Sequence, residues 1–279
     1  MKIGVIGTGL MGKGIIQCLI ESDIDVICFS RRKSIRKDMI QHFESLYKKE
    51  YCSEQCLEKI KSEVQYHCLN TELSKINSCN GIVETIVEDK KSKIELIKKL
   101  NNHVTEKQIL FTNTSTIPIS KLGSEYKYKK NVVGLHFFSP VPLMDIVEIV
   151  NGEGTSTEAV HSAMDLCKRL SKASYVVKDT PGFVFNRMLV PLVNEASQLY
   201  HSHYMGNPEL IDNIFKHGMG LKFGPLKLAD LTGVEVIFNS MNSIYEETGE
   251  LKYLPCEGME RMVSRGDLGR KAKRGFYTY

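Results

Sequence analysis

A histidine set in an apolar run, with a carboxylate twelve positions further on, is the arrangement in this chain best suited to moving a proton. The run is Gly134-Leu135-His136-Phe137-Phe138-Ser139-Pro140-Val141-Pro142, and the carboxylate is Glu148. An imidazole titrates near neutral pH, so it can take a proton from a hydroxyl and return it in the reverse direction. A carboxylate that accepts from the other ring nitrogen fixes the tautomer and stabilises the imidazolium. Taken alone, His136 is by default a core imidazole and Glu148 a strand-end surface carboxylate, so the chemistry depends on their surroundings. There is no His-Glu-x-x-His and no paired cysteine set, so no metal is expected, and His201 and His203 read as a solvated helix end.

A second constellation opens the chain. Lys2 to Ile6 forms a short apolar strand, followed by Gly7-Thr8-Gly9-Leu10-Met11-Gly12-Lys13-Gly14, a helical pattern at Ile15, Ile16, Leu19 and Ile20, and a second strand from Asp25 to Phe29. Strand, glycine turn, helix and strand in that order meet the requirements of a dinucleotide-binding fingerprint. Gly7 permits the tight turn, Gly9 lets the backbone approach a pyrophosphate, and Gly12 lets helix and strand pack closely. The helix opening at Leu10 and Met11 offers unpaired N–H groups to phosphate oxygens. About twenty residues past the glycines such folds carry an Asp that binds both ribose hydroxyls and repels a 2′-phosphate. Here Ser30 stands at that position, followed by Arg31 and Arg32. Serine removes the repulsion, and guanidinium groups grip phosphate in bidentate fashion. The expected cofactor is therefore NADP(H) in preference to NAD(H), unless both arginines simply begin a solvated segment.

The His136 block resembles the active-site segment of the short-chain L-3-hydroxyacyl-CoA and 3-hydroxybutyryl-CoA dehydrogenases, HFF-N-P-V-P-x-M-x-x-V-E, with only the Asn replaced, by Ser139. The similarity runs from Gly7 to Tyr279. In Thr112-Asn113-Thr114-Ser115 it implies that Ser115 hydrogen-bonds the reacting oxygen. In Gly182-Phe183-Val184-Phe185-Asn186-Arg187 it implies that Asn186 steadies the substrate carbonyl. Spacings of 21 from Ser115 to His136, 12 to Glu148 and 38 to Asn186 fit the family without insertions. Glu84-Thr85-Ile86-Val87-Glu88 and Lys93 match a family motif in which Glu88 and Lys93 contact the cofactor's ribose and nicotinamide end. Ser139 falls on a cofactor contact, where a shorter hydroxyl can still hydrogen-bond. The closing Gly269-Arg270-Lys271-Ala272-Lys273-Arg274-Gly275-Phe276-Tyr277 resembles the family tail, with Lys271 as a cofactor contact and Ala272 and Lys273 departing from it.

The resemblance implies interconversion of a short-chain (S)-3-hydroxyacyl-CoA and its 3-oxoacyl partner, in a homodimer joined through the helical domains. It also implies that a helical hairpin covers the CoA tail, which makes Arg36, Lys37, Lys48 and Lys49 candidate phosphate ligands. Two rivals stay open. One is a related dehydrogenase acting on a carrier-protein-bound acyl group or a free hydroxy acid. The other is a non-catalytic NAD(P)-binding sensor or structural protein, against which the joint presence of Ser115, His136, Glu148 and Asn186 argues.

The elements that must hold these residues follow from length and pattern. With 279 residues the chain suggests two domains: a dinucleotide-binding unit over 1–180 and an all-helical substrate-binding and dimerisation unit over 181–279. In the first, charged residues 33–63 read as the inserted helical hairpin. Strands near Val64–His67, Gly81–Val83, Gln108–Phe111 and Val132–Leu135, with a helix from Asp89 to Asn101, predict a Rossmann-type, doubly wound α/β sheet that is largely parallel. Asp145–Val150 adds a final edge strand. In the second, Pro181-Gly182 opens a helix that Pro191 kinks, Asn207-Pro208-Glu209 starts another, and Pro225 begins a third that runs to about Thr248. A net charge of +4 is too small for nucleic-acid binding. Its excess is local, with nine Lys/Arg against six Asp/Glu over 31–65 and six against one over 261–274. No apolar run reaches membrane-spanning length. Eight scattered cysteines, with no Cys-x-x-Cys pair and no signal-like segment before the first strand, read as reduced thiols of a cytoplasmic protein.

Overall fold

The computed structural model describes residues 1–202 and 206–279, which divide into two compact units, Met1–Asp179 and Thr180–Tyr279. The first unit is built on a single sheet. Its strands are β1 (Lys2–Ile6), β2 (Asp25–Ser30), β3 (Gln65–Cys68), β4 (Gly81–Glu84), β5 (Ile109–Thr112), β6 (Val132–Phe137), β7 (Ile146–Asn151) and β8 (Ala173–Lys178). They lie in the order β3-β2-β1-β4-β5-β6-β7-β8. The six strands from β3 to β6 are mutually parallel, β7 runs antiparallel to β6, and β8 is parallel to β7. Val5, Ile6, Ile82, Val83, Val132 and Val133 have almost no exposed surface, as expected of parallel strands covered on both faces.

Because β1, β2, β4, β5 and β6 point the same way, their carboxyl ends and the loops after them share one edge. Gly7, Ser30, Glu88, Ser115 and the end of the His136 strand therefore gather there, where open α/β sheets bind their ligands. Helix α1 (Leu10–Glu21) packs against this sheet, and the hairpin helices α2 (Ile35–Tyr47) and α3 (Glu54–Ser62) extend the same core with Ile35, Met39, Phe43, Leu57 and Ile60. The β4–β5 crossover is α4 (Lys90–Leu100), capped by the Asp89 side chain accepting from Ser92 N–H. A short α5 (Ile119–Gly123) follows β5.

Besides the short α5, two longer elements of this unit are absent from the sequence reading. After β7 comes α6 (Thr157–Arg169), capped by Ser156, and then β8, which takes the edge position expected for the 145–150 strand. Strand β8 shows no buried apolar face: Tyr175 and Val176 are exposed, so the alternation that marks a strand is missing.

The second unit is all-helical. It comprises α7 (Phe185–His201), α8 (Pro208–Met219), α9 (Pro225–Thr232), α10 (Val234–Thr248) and α11 (Glu257–Arg265). Asn207 caps α8, accepting from Glu209 and Leu210 N–H, with Pro208 in the first turn. The helix expected from Pro225 to Thr248 is two helices, because Gly233 at φ +107° interrupts the helical backbone. Helix α7 begins at Phe185, three residues after Gly182, and continues through Pro191. Val190, Val193, Leu226, Ala229, Ile237, Met241 and Met259 close the core.

Candidate active site

The glycine turn has the shape its sequence requires. Gly7 sits at φ +103°, and a Cβ there would lie 2.5 Å from the Thr85 carbonyl oxygen. A Cβ on Gly12 would collide with the Gly7 carbonyl, whereas one on Gly9 would meet nothing within 4 Å. That open space lies at the start of α1, whose N-cap makes no side-chain hydrogen bond, so the first N–H groups of the helix remain for an anion. Leu10 is exposed and Met11 half-buried beside them. Buried Ser30 ends β2, and its Oγ accepts from Thr8 Oγ1 at 3.4 Å and from Arg32 N–H at 3.2 Å. The turn and the serine thus form one hydrogen-bonded surface. Arg31 and Arg32 are exposed, and the Arg32 guanidinium lies 3.8 Å from the Asp38 carboxylate.

His136 and Glu148 stand directly opposite one another in the antiparallel β6–β7 ladder. Opposed residues on such a ladder project to the same face. Nδ1 of His136 and Oε2 of Glu148 are 2.8 Å apart, and both side chains are buried. The peptide after the histidine is also held: Phe137 N–H donates to Asn113 Oδ1 at 3.0 Å. Ser139 lies exposed just beyond β6. The turn it opens is fastened by Lys172, whose buried ammonium donates to the carbonyls of Val141 (2.8 Å) and Met144 (2.7 Å).

Around Ser115 the loop is clamped by Glu88. Its Oε1 accepts from Thr114 Oγ1 (2.6 Å) and from the N–H groups of Ser115 (2.7 Å) and Thr116 (3.1 Å). Its Oε2 lies 3.5 Å from Lys93 Nζ. Lys93 itself has no exposed side-chain surface and donates to both oxygens of an equally buried Glu84, at 2.8 and 2.9 Å.

In the second unit Asn186 is buried in the first turn of α7, and Arg187 beside it pairs with Glu250 at 3.0 Å. Lys271 is exposed in a short turn over Arg270–Ala272. The tail is secured by Asp230, whose carboxylate accepts from the N–H groups of Phe276 and Tyr277, both at 2.9 Å, and from Tyr279 OH at 3.1 Å. Burial raises the Asp230 carboxyl above the usual range.

A glycine turn, an uncapped helix start and a buried histidine–carboxylate pair on one sheet edge suit alcohol oxidation against a bound dinucleotide. The family model for the 3-hydroxyacyl-CoA dehydrogenase NAD-binding domain matches residues 2–180, and that for the C-terminal domain of the same enzymes matches 182–279. The chain belongs to the 3-hydroxyacyl-CoA dehydrogenase family. It is 35% identical to a 3-hydroxybutyryl-CoA dehydrogenase of Clostridioides difficile, covering 100% of this chain and 99% of that protein. Identity to the human mitochondrial hydroxyacyl-coenzyme A dehydrogenase is 33%, over 99% of this chain and 90% of that one. Among solved structures, (S)-3-hydroxybutyryl-CoA dehydrogenase PaaH1 from Ralstonia eutropha matches with TM-score 0.89 at 32% identity, covering 100% and 98% of the two chains. FadB2 of M. tuberculosis matches with TM-score 0.92 at 30% identity, over 99% and 98%. The chain is therefore an oxidoreductase of the 3-hydroxyacyl-CoA dehydrogenase kind, with a domain that binds a nicotinamide cofactor.

Several sequence expectations need revising. Lys93 is enclosed between two carboxylates rather than offered at the surface, because a lysine in the first turn of α4 falls beside the carboxylate that ends β4. Glu88 spends Oε1 on the protein's own loop. The four basic hairpin residues do not form one patch. Arg36 and Lys37 lie in the first turn of α2, with Arg36 donating to the Lys61 carbonyl at 3.0 Å, whereas Lys48 and Lys49 lie just past its end. Twelve residues of helix separate Arg36 from Lys48, about 18 Å at 1.5 Å per residue. His201 ends α7 as expected but is only partly exposed: its ring packs against Tyr200 and Gly258, Nδ1 meets the Ser197 carbonyl at 2.9 Å, and burial lowers its pKa. His203 lies outside the described residues. Among the described residues no cluster of potential metal ligands occurs, and no helix is long and apolar enough to cross a membrane. All eight cysteines are unpaired.

Asn113, Lys172 and Glu84, which fasten the elements around the site, were given no role by the sequence. Glu84 had a signal, being the polar residue that ends the otherwise apolar β4, and Asn113 a weaker one just past the end of β5; Lys172 had none.

Proposed function

We propose that the protein interconverts short-chain (S)-3-hydroxyacyl-CoA and 3-oxoacyl-CoA, with His136 as general base and acid and NADP(H) as preferred cofactor. The observation that carries this reading is the buried cross-strand pair of His136 Nδ1 and Glu148 Oε2 at 2.8 Å, on the sheet edge that also bears the glycine turn. The Gly7–Gly12 turn and the first N–H groups of α1 would hold a nicotinamide dinucleotide, which would supply the hydride acceptor for oxidation at C3 and the hydride donor for the reverse reaction. Nε2 of His136 accepts the 3-hydroxyl proton as the C–H bond breaks and the carbonyl forms, and donates it back on reduction. Glu148 holds the imidazole through Nδ1 and stabilises the imidazolium while the proton is there. Ser115, on the loop clamped by Glu88, hydrogen-bonds the reacting oxygen, and Asn186 steadies the thioester carbonyl.

The cofactor preference is supported by the absence of a carboxylate at the end of β2. The Ser30 hydroxyl occupies that place beside Thr8, and two exposed arginines follow it. A dimer through the helical unit is supported by the exposed apolar side chains of Leu210, Ile214 and Met219 on α8, and light scattering of the purified chain tests it. The deciding experiment follows nicotinamide absorbance with acetoacetyl-CoA, using NADPH and NADH in parallel. Turnover with a higher kcat/KM for NADPH is expected. No turnover with either cofactor refutes the activity, and a ratio favouring NADH refutes the cofactor assignment alone.

A further inference from the structure

Glu84 and Lys93 form an ion pair whose side chains have no exposed surface. Taking both charges out of water costs roughly what their attraction returns, so such a pair is weak evidence for stability. Its bonds point to another use. Glu84 Oε1 accepts from Ile86 N–H (2.7 Å) in the turn after β4, and Oε2 accepts from Thr112 Oγ1 (2.6 Å) at the end of β5. Both oxygens hold the Lys93 ammonium, which lies 3.5 Å from Glu88 Oε2. Glu88 in turn clamps the 114–116 loop through its other oxygen. The turn itself abuts the dinucleotide fingerprint, since a Cβ on Gly7 would strike the Thr85 carbonyl.

We propose that Glu84 is a positioning residue for the cofactor and substrate edge of the sheet, acting through Lys93 and Glu88 on the Ser115 loop. The proposal rests on the function assigned above and deepens it. The Lys93 ammonium is shared between two carboxylates, and the share taken by Glu84 leaves Glu88 oriented toward the loop. Without the charge on Glu84, the buried ammonium draws on Glu88 alone, and the clamp on the Ser115 and Thr116 N–H groups slackens.

The test uses Glu84→Gln, Glu88→Gln and the double variant. Fluorescence titration of NADPH and NADH gives cofactor Kd without turnover, and kcat/KM with acetoacetyl-CoA gives the second readout. For Glu84→Gln we expect Kd to rise about 3- to 10-fold and kcat/KM to fall about 10- to 100-fold, the range of one charge-assisted hydrogen bond. The double variant should be no poorer than the worse single, because both changes cut one relay. If Glu84→Gln does not fold, Glu84→Asp, which keeps the charge but shortens its reach to the Lys93 ammonium, should show smaller losses in the same direction. Wild-type Kd and kcat/KM in a folded variant overturn the proposal, and so do losses that multiply in the double variant. A wild-type chain that fails to turn over the thioester counts against the proposed function, and the Kd cycle then decides this inference by itself.

Discussion

Replacing Glu148 by Gln isolates the contribution of one buried charge. The amide matches the carboxylate in size, and its oxygen can still accept from Nδ1 of His136, so the ring stays oriented across the β6–β7 ladder. What is lost is the negative charge next to the imidazolium formed as the proton is taken. The 2.8 Å contact between two buried groups sets the scale. An upper bound is the Coulomb term for charges about 4 Å apart at an effective dielectric of about 20, roughly 4 kcal/mol. A lower bound is the difference between a charge-assisted and a neutral hydrogen bond, about 1 kcal/mol. At about 1.4 kcal/mol per decade these bracket a fall in kcat of roughly 5- to 1,000-fold, centred near 100-fold. The assay is steady-state turnover of acetoacetyl-CoA at saturating cofactor, with cofactor Kd measured separately and expected to change by less than about twofold, since Glu148 acts on the proton and not on dinucleotide binding. Glu148→Ala, which also releases the ring, should be worse than Gln. A Gln variant within threefold of wild-type kcat would show that the carboxylate's charge does not reach the transition state.

Other perturbations address the remaining assignments. His136→Gln should lower kcat by about 100- to 10,000-fold with cofactor affinity retained, because only the proton-transfer agent is removed; comparable turnover in the variant rules out the role. Ser30→Asp with Arg31→Ala should move the NADPH:NADH ratio of kcat/KM toward NADH by about ten- to a hundredfold, from one lost charge-assisted contact and one new repulsion; an unmoved ratio means that the end of β2 does not read the ribose. The two ends of α2 call for separate charge reversals, Arg36→Glu with Lys37→Glu and Lys48→Glu with Lys49→Glu. Only the end that meets the CoA phosphates should raise KM for acetoacetyl-CoA while sparing a short pantetheine analogue, and equal effects from both ends would dispose of a localised phosphate site. Asp230→Ala should lower stability by about 3 kcal/mol by releasing the Phe276 and Tyr277 N–H groups from a buried carboxylate, read as a reduced denaturation midpoint; a midpoint within error of wild type would mean that the tail is held elsewhere.

The features legible in the sequence are those where backbone geometry restricts the residue. Gly7 and Gly12 could be assigned separate tasks because each answers a steric demand that other residues cannot meet, whereas a Cβ on Gly9 would enter open space. The apolar runs of β1, β4 and β6 announced a sheet covered on both faces. Legibility failed where the tertiary environment inverts the local pattern. Strand β8 exposes Tyr175 and Val176 and so resembles no half-buried strand, and Gly233 sits inside a continuous apolar periodicity that hides the break between α9 and α10. Lys93 follows Asp89, Lys90 and Lys91 and looks like one more solvated helix cation, yet Glu84, nine residues earlier and at a strand end, draws it fully inside. The distance between the two basic ends of α2 became apparent only once the hairpin helix had definite limits.

The antiparallel pairing of β6 and β7 has a consequence for how the enzyme can be altered. The geometry of His136 and Glu148 is set by backbone register and not by the length of the connection between them. Residues 138–145 form a bridge whose far side is pinned by Lys172, and the ladder keeps the histidine–carboxylate pair in step on the near side. A register slip of one residue would turn one partner to the opposite face and separate the pair. Exchange at the exposed positions of the bridge leaves the register in place, whereas Phe138 and Val141 are buried and Lys172 holds the carbonyls of Val141 and Met144. The register, and with it the spacing of His136 and Glu148, is therefore insulated from change at the exposed positions of the bridge, such as Leu143 and Asp145.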